Sequence, residues 1–202
     1  MSTCYIVGAG EFYGSFTPSE GDLVIAADGG YNSLMKRGIR CDLLIGDMDS
    51  LEDIPTGVEI LRHRVEKDET DMHLAYLEGT RRGFSDFAIY GGVGGRPDHT
   101  FANYCLLAYI QNHGGRAKLY DKTSVAYAIS NESVRLTATE GKTVSVFAFG
   151  GDARGVSVRG LYYTLEGGTL TPDFPLGVSN HTVGKDGEIE VLDGTLLIIE
   201  EI

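Results

Sequence analysis

The chain has 202 residues, 42% of them hydrophobic, and a formal net charge of −12 at pH 7. This length and apolar fraction suffice for one large or two small globular domains with a hydrophobic core. The acidic charge argues against nonspecific binding to nucleic acid or to an anionic membrane, because like charges repel. It would also repel a free polyphosphate, so a site for nucleotides in this chain calls for a bridging divalent cation.

The three cysteines are odd in number, show no CxxC spacing and lie in apolar runs at Cys4, Cys41 and Cys105. This pattern predicts reduced, buried thiols in a cytoplasmic protein and no disulfide framework. The sequence contains no signal-peptide pattern and no run of about 18 apolar residues, so we expect neither export nor a membrane span.

The first part of the chain alternates short apolar runs with helical patterns. The apolar runs predict strands at residues 4–7, 23–27, 42–45, 58–61, 87–90 and 117–120. The helical patterns follow residue 30 and cover about 70–82 and 98–112. Strands that alternate with helices predict an α/β domain over residues 1–124 with an open, mainly parallel sheet.

The helical patterns also predict which side chains face the core. In the first helix we expect Leu34 and Met35 to point inward, and in the second Leu74 and Leu77. Asp68 is the candidate N-cap of the second helix, since its carboxylate can accept a hydrogen bond from a backbone amide of the first turn.

The pattern changes after residue 120. Short β-rich segments follow at 125–129, 134–138, 144–149 and 156–158, and Gly, Asp, Asn and Ser separate them. Asp186-Gly187 and Asp193-Gly194 have the composition of hairpin turns. Without an amphipathic helix in this region, the pattern predicts an all-β sandwich domain over residues 125–202.

Carboxylates gather where the predicted strands end. Asp28 follows the second strand, and Asp47 and Asp49 follow the third, two residues apart on one face of an extended segment. Asp68 and Asp71 open the second helix, three residues apart on one face. Ligands of open α/β sheets bind at this edge, and clustered carboxylates favour Mg²⁺. The alternative is a solvated acidic turn at residues 47–49 and simple helix capping at Asp68.

A glycine-rich loop at residues 91–95 leads into the third helix. Its backbone amides can face an anion, and Arg96 adds a positive fork, although the segment lacks the Gly-Lys-Ser/Thr of a Walker A loop. The alternative is a flexible turn. Asp98 either caps the helix or anchors Arg96, and a structural role is favoured for His99.

A second glycine-rich segment, at residues 8–14, follows the first strand. Its spacing is GxGxxxG, and no helix pattern follows. The spacing therefore argues against the dinucleotide fingerprint of a nicotinamide or flavin enzyme, which requires GxGxxG opening a helix.

These motifs resemble, in order, the motif series of the thiamine pyrophosphokinase family. The segments that carry the resemblance are Asp28-Gly29-Gly30, Ile45 to Ser50, Lys67 to Asp71, Gly91 to Asn103, Gly160-Leu161-Tyr162 and Ser179-Asn180. The resemblance implies an α/β domain followed by a β-sandwich, and a homodimer whose active sites lie between the subunits. It also implies an enzyme that transfers the pyrophosphoryl group of ATP to the hydroxyl of thiamine and releases AMP.

The resemblance implies roles for individual residues. Asp47, Asp49 and Asp71 would bind Mg²⁺ and serve in catalysis, with Asp71 acting either as the base or only as a ligand. The ATP site would comprise Asp28, Gly29, Lys67, Asp68, Thr70, Gly91, Gly92, Gly94, Gly95, Arg96 and Asp98.

Thiamine would meet Tyr162, Ser179 and Asn180. Many relatives carry Trp at the position of Tyr162, and this chain has no Trp. A tyrosine ring can also stack on a heterocycle and face a cation. The alternatives are a core position for Tyr162 and a turn between strands for Ser179-Asn180.

Two other functions remain open on the residues alone. A Mg²⁺-dependent phosphohydrolase would cleave nucleotide without thiamine. A noncatalytic nucleotide-binding sensor would bind MgATP and release no AMP.

Overall fold

The computed structural model describes residues 2–48, 57–62 and 68–202, which form two compact units. The first unit comprises Met1–Leu106 and Gly114–Lys122, and the second comprises Leu107–His113 and Thr123–Ile202. The last turns of the third helix thus group with the second unit. The two units therefore cannot be separated by a boundary at one position in the sequence. The domain bounds 1–124 and 125–202 stay a prediction.

Within the residues that the structure describes, the first unit is built on a sheet of six parallel strands. They are β1 (Cys4–Val7), β2 (Leu23–Ala27), β3 (Leu43–Gly46), β4 (Glu59–Arg62), β5 (Asp86–Tyr90) and β6 (Arg116–Tyr120). Within this unit the order is β6-β5-β1-β2-β3-β4, and every neighbouring pair is parallel. Strands β1 to β4 lie next to one another in chain order, and β5 and β6 lie on the opposite side of β1. The order therefore reverses at β1, where open α/β sheets bind ligands.

Three helices accompany this sheet: α1 (Gly30–Lys36), α2 (Asp71–Arg81) and α3 (Pro97–Asn112). In α2 the buried face consists of Met72, Ala75, Tyr76, Glu78 and Gly79. This spacing of three and four residues leaves Leu77 on the outside, with 39% of its surface exposed. The prediction that Leu77 faces the core was wrong.

Two further helix predictions need correction. Leu34 is fully buried in α1, but Met35 is exposed, because α1 has only seven residues and presents one narrow inner face. The N-cap of α2 is Thr70 and not Asp68: Thr70 Oγ1 accepts a hydrogen bond from the backbone amide of His73 at 3.2 Å.

The second unit contains eight strands in two antiparallel sheets. They are β7 (Ser124–Ser130), β8 (Ser133–Leu136), β9 (Glu140–Ala148), β10 (Ala153–Arg159), β11 (Leu165–Leu170), β12 (Gly177–Val183), β13 (Gly187–Glu190) and β14 (Thr195–Glu201). Within this unit one sheet has the order β12-β9-β14-β7 and the other β11-β10-β13-β8. The predicted fold class, a mainly parallel α/β domain followed by a β-sandwich, is confirmed.

Neither predicted hairpin forms. Asp186 directly precedes β13 and Gly187 is its first residue, whereas Asp193-Gly194 lies between β13 and β14. Strand β13 pairs with β8 and β10, whereas β12 and β14 belong to the other sheet. Both turns carry the chain from one sheet to the other. An Asp-Gly pair sets the local turn geometry, but it does not choose the partner of the strand that follows.

Side chains from both sheets of the sandwich share one core. It includes Val144, Val146 and Ile198 from the first sheet and Val156 and Ile189 from the second. Burying each such side chain stabilises the fold by about 1.5–3 kcal/mol. The alternation of buried and open positions along β9 explains why this region is recognisable from its sequence.

The cysteines are free, and their burial differs. Cys4 is buried, and burial raises the pKa of its thiol to about 12. Cys41 is half-buried, but Cys105 is exposed on α3, so the prediction of three buried thiols was wrong. No helix in the described part of the chain is long and apolar enough to cross a membrane.

Candidate functional site

A cavity of about 230 Å³ opens in the first unit, where the sheet order reverses. Its described lining is Gly8, Ala9, Ala27, Asp28, Glu69, Thr70, Asp71, Met72, His99, Ala102 and Asn103. These residues come from the ends of β1 and β2 and from the first turns of α2 and α3. Of the predicted site residues, the structure therefore brings together Asp28, Thr70 and Asp71.

The backbone at the end of β2 holds Asp28 in place. Its φ is +49°, in the left-handed region that non-glycine residues seldom adopt. Its backbone amide donates to the carbonyl of Ile45 at 2.7 Å, and its Oδ1 atom is buried. Gly46 has a φ of +152°, and a Cβ atom there would lie 3.2 Å from Cα of Asp28. The sequence around Gly46 thus leaves space for a strained aspartate at the mouth of the cavity.

Asp71 reaches the same cavity from the first turn of α2. Thr70 caps this helix, and a carboxylate in the first turn is favoured by the positive end of the helix dipole. Together with Asp28 and Glu69, Asp71 makes the described wall acidic. An acidic wall can receive a polyphosphate only with a cation between them.

Two glycine segments, one at residues 8–10 and one that begins at Gly91, lie in close contact, and Gly8 of the first segment lines the cavity. The backbone amides of Gly8 and Gly10 donate to the carbonyls of Tyr90 and Gly91, each at 2.8 Å. A Cβ atom at Gly8 would lie 2.6 Å from Gly91 O, and one at Gly91 would lie 2.4 Å from Gly8 O. Only glycine allows this approach of two backbones. Gly8 and Ala9 also line the cavity, a position that was not predicted from the sequence.

Helix α3 contributes His99 and Asn103, one turn apart on the same face. His99 is exposed and lines the cavity, so the structural role favoured from the sequence does not describe its position. Asn103 is buried, with 5% of its surface exposed, and its Nδ2 donates to Gly92 O at 2.7 Å. The sequence signal for Asn103 was a polar residue on the inner face of an apolar helix.

Other residues predicted for the ATP site do not line this cavity within the described part of the chain. They are Gly29, Asp68, Gly91, Gly92, Gly94, Gly95, Arg96 and Asp98. The guanidinium of Arg96 forms a two-pronged ion pair with Asp98, at 2.6 and 3.2 Å, on the surface. Its hydrogen bonds lower the pKa of the Asp98 carboxyl. Asp98 anchors Arg96 and does not cap α3, which begins at Pro97.

The predicted metal ligands are only partly described. Asp47 follows β3 and is half-buried, and Asp71 lines the cavity. Asp49, Ser50 and Lys67 lie outside the described residues. Among the residues that the structure describes, no three His, Cys, Asp or Glu side chains form a group that could hold a metal ion.

In the second unit, Asn180 is a buried residue of β12 and is not in a turn. Its Oδ1 accepts hydrogen bonds from the amides of Tyr163 and His181, both at 2.9 Å, and its Nδ2 donates to Tyr163 O at 2.7 Å. Ser179 has a φ of +58° at an irregularity in the pairing of β12 with β9. The bulge and the buried amide together fix the backbone of the Tyr162-Tyr163 segment.

Aromatic rings cluster on the surface beside Asn180. Tyr162 is 60% exposed, and it stacks on His181 with ring centres 4.5 Å apart. Tyr163 meets the Tyr162 ring edge-on at 4.8 Å. Tyr162 is therefore not a core residue of the sandwich. An exposed pair of stacked rings offers a flat face to an aromatic or cationic ligand.

Comparisons with known proteins agree with this arrangement. Residues 18–119 match the family model "Thiamin pyrophosphokinase, catalytic domain", and residues 129–196 match "Thiamin pyrophosphokinase, vitamin B1 binding domain". The chain is 27% identical to the thiamine pyrophosphokinase of Bacillus subtilis over 187 residues, which cover 89% of this chain and 87% of that protein.

Solved structures share the fold over the whole chain. A crystal structure of thiamine pyrophosphokinase from B. subtilis matches with a TM-score of 0.89 and 24% identity, covering 100% of this chain and 99% of the other. The protein from Geobacillus thermodenitrificans matches with a TM-score of 0.85 and 22% identity, covering 99% and 97%. The enzyme from Candida albicans gives a TM-score of 0.76 at 15% identity, covering 99% and 88%. At these identities the structural likeness establishes the fold alone. The two family models, however, follow one another along most of the sequence, so this chain belongs to the thiamin pyrophosphokinase family.

Proposed function

We propose that this chain transfers the pyrophosphoryl group of MgATP to the hydroxyl of thiamine. The hydroxyl oxygen attacks the β-phosphorus, the bond between that phosphorus and the α,β-bridging oxygen breaks, and AMP leaves with that oxygen. The hydroxyl proton passes to a base, and the products are thiamine diphosphate and AMP. The consecutive match to the catalytic and vitamin B1 binding domains carries this proposal.

Carboxylates in the first unit would hold the magnesium ion. The proposed ligands are Asp47, Asp49 and Asp71, whose oxygen atoms are the donors that Mg²⁺ prefers. The position of Asp71 in a cavity with Asp28 supports this assignment, because two carboxylates at one wall repel each other without a cation. When bound, the ion neutralises charge on the phosphates.

The chain's own groups would orient ATP. Asp28, held by Gly46 and Ile45, presents a fixed carboxylate, and the paired glycine segments allow phosphates close to the backbone. Asp71 either accepts the proton of the thiamine hydroxyl or serves only as a metal ligand. Lys67 and Arg96 are the cationic residues that we propose for the nucleotide site, with Gly29, Asp68, Thr70 and the 91–98 segment around them.

Thiamine would bind at the aromatic surface of the second unit. Tyr162 would supply an exposed ring for the cationic thiazolium, and Ser179 lies on β12, two residues before the His181 ring on which Tyr162 stacks. Since the amide of Asn180 is engaged with Tyr163 and His181, Asn180 would act by holding this surface in place.

We propose further that two copies pair, and that each active site combines the first unit of one subunit with the second unit of its partner. Co-purified mixed dimers test this. One subunit would carry Asp71→Asn and the other Tyr162→Ala. In a random mixture, about a quarter of the sites would combine two intact halves, so at thiamine concentrations well below KM the activity should exceed the mean of the two pure variants. A gel-filtration mass of a monomer, or no recovery in the mixed dimer, would contradict this arrangement.

One experiment separates the enzyme from its alternatives. The protein is incubated with MgATP, with and without thiamine, and the products are identified by mass spectrometry. AMP and thiamine diphosphate that appear only with thiamine support the proposal. AMP or ADP without thiamine would support a phosphohydrolase, and binding without turnover would support a sensor. The cytoplasmic location stays a prediction from the sequence.

A further inference from the structure

Asn103 occupies an unusual position for a polar side chain. It lies inside the first unit on α3, it is 5% exposed, and it lines the cavity that contains Asp28 and Asp71. Among the described residues, its side chain makes one hydrogen bond, from Nδ2 to Gly92 O at 2.7 Å. A buried amide directed at a backbone carbonyl constrains the geometry of that backbone, because a buried carbonyl without a hydrogen bond is destabilising.

The carbonyl that Asn103 holds belongs to the glycine segment after β5. Because the peptide is planar, fixing Gly92 O fixes the orientation of the whole peptide that joins Gly92 to Val93. Val93 O in turn accepts the amide of Glu11 at 2.9 Å, and Gly91 O accepts the amide of Gly10 at 2.8 Å. Asn103 and the amides of Gly10 and Glu11 therefore bind the three consecutive carbonyls of residues 91–93.

The space around Gly92 leaves little freedom. A Cβ atom at Gly92 would lie 2.6 Å from Cδ1 of Leu119 and 3.2 Å from Nδ2 of Asn103. The segment is held by packing on one side and by the Asn103 amide on the other. Removing the amide donor would leave Gly92 O without this hydrogen bond.

We propose that Asn103 is a positioning residue for the nucleotide. By holding Gly92 O, it keeps the two glycine segments at the spacing that the phosphate chain of ATP requires, and it keeps α3 with His99 against the same cavity. This inference rests on the proposed function, since it takes MgATP as the ligand of the cavity.

The test uses two variants and a matched control on the same helix. Asn103→Asp preserves the shape of the side chain but replaces the donor with an acceptor, and Asn103→Leu removes the donor without adding charge. Asn112→Asp makes the same chemical change near the end of α3. There Oδ1 accepts hydrogen bonds from Ser130 Oγ at 2.7 Å and Thr195 Oγ1 at 3.4 Å, and a carboxylate can still accept both.

The first measurement is calorimetric binding of Mg²⁺ and α,β-methylene-ATP, whose α,β bond cannot be cleaved in this transfer. We expect the Kd to rise about 10-fold or more in both Asn103 variants and to stay within about 2-fold of wild type in Asn112→Asp. The second is the steady-state comparison, in which KM for ATP should rise while KM for thiamine stays near the wild-type value. Thermal unfolding establishes the folded fraction at the assay temperature.

Wild-type Kd values in the Asn103 variants would overturn the proposal. So would a loss that follows only the unfolded fraction, with unchanged constants per folded molecule, or a wild-type protein that does not bind the analogue. The proposed function fails separately: if the wild-type protein binds the analogue but forms no AMP with thiamine, the transfer reaction is wrong while Asn103 is still judged by binding.

Discussion

The backbone amide of Asp28 donates a hydrogen bond to the carbonyl oxygen of Ile45 at 2.7 Å. This bond joins two strand ends beyond the regular pairing of β2 and β3, which stops at Ala27 and Ile45. It brings an aspartate with a left-handed backbone to the segment that leads into Asp47. Two acidic motifs that are 19 residues apart are therefore parts of one local structure.

Gly46 makes that arrangement possible, and Gly46→Ala should disrupt it. The new Cβ would lie 3.2 Å from Cα and Cβ of Asp28, and the φ of +152° is unfavourable for alanine. We expect a loss of about 1–3 kcal/mol in the free energy of unfolding, together with a raised Kd for Mg²⁺ and α,β-methylene-ATP. Urea unfolding and calorimetry measure the two effects.

Gly38→Ala is the matched control. Gly38 also has a positive φ, of +64°, but a Cβ there would meet nothing within 4 Å. It should lose stability through backbone strain and keep the nucleotide affinity of the wild type. Equal loss of affinity in both variants would show that the contact with Asp28 is not the cause.

Asp71→Asn should abolish AMP formation while the fold persists. The substitution keeps the size of the side chain and removes the negative charge that we assign to metal binding or proton transfer. We expect kcat to fall at least ~100-fold. Asp71 also stabilises the first turn of α2 through the helix dipole, so the free energy of unfolding should fall as well, by no more than about 1 kcal/mol.

The control for Asp71→Asn is Asp173→Asn. It makes the same substitution at an exposed aspartate of the second unit and should leave kcat unchanged. AMP release is followed by chromatography, and circular dichroism checks folding. Turnover by Asp71→Asn at the wild-type rate would remove this residue from the mechanism.

Tyr162→Ala should weaken thiamine binding, and Tyr162→Trp should preserve it. The alanine loses the ring that stacks on His181 at 4.5 Å, whereas tryptophan retains a flat aromatic face. We expect KM for thiamine to rise about 3- to 10-fold in the alanine variant, with KM for ATP unchanged.

Leu192→Ala removes a comparably exposed apolar side chain from the same unit, 68% exposed, and should leave both KM values alone. A wild-type KM for thiamine in Tyr162→Ala would place the thiamine site elsewhere.

Glu78 should make stability depend on pH between about 4.5 and 2. Hydrogen bonds from Arg81 at 2.7 Å, and from Arg82, lower the pKa of its carboxyl from 4.5 to about 2 in the folded state. The folded carboxyl thus keeps its charge where the unfolded chain takes up a proton. The stabilisation is present above the ordinary pKa and is lost as the pH falls towards 2.

Glu78→Gln should therefore lower the free energy of unfolding by about 1–3 kcal/mol at neutral pH and by less near pH 2. Glu20→Gln, at an exposed position on the surface, is the control. Urea unfolding at several pH values gives both curves, and parallel curves for wild type and Glu78→Gln would contradict the assignment.

Much of the fold could be predicted from the sequence alone. The apolar runs at Leu23–Ala27 and Leu43–Gly46 are buried throughout, as expected for central parallel strands covered on both faces. The predicted strand order also placed Asp28 and Asp71 at the same edge of the sheet, because parallel strands end on the same side, and both residues line the cavity. The motif series identified the family, because a combination of several spaced motifs is far more specific than any one of them.

The approach of the two glycine segments and the pairing of the sandwich strands depend on contacts between residues far apart in the sequence. Nothing local distinguishes Gly8-Ala9-Gly10 from an ordinary turn; its role follows from Gly91, some 80 residues away, whose carbonyl leaves no room for a Cβ atom. Likewise, Asp193-Gly194 determines a turn, but the partner of β14 is chosen by long-range packing in the sandwich. Local sequence sets backbone geometry and apolar periodicity. Which segments meet depends on burial over the whole chain, so the contacts of Gly8 with Gly91 and of Asn103 with Gly92 could be assigned only from the folded structure.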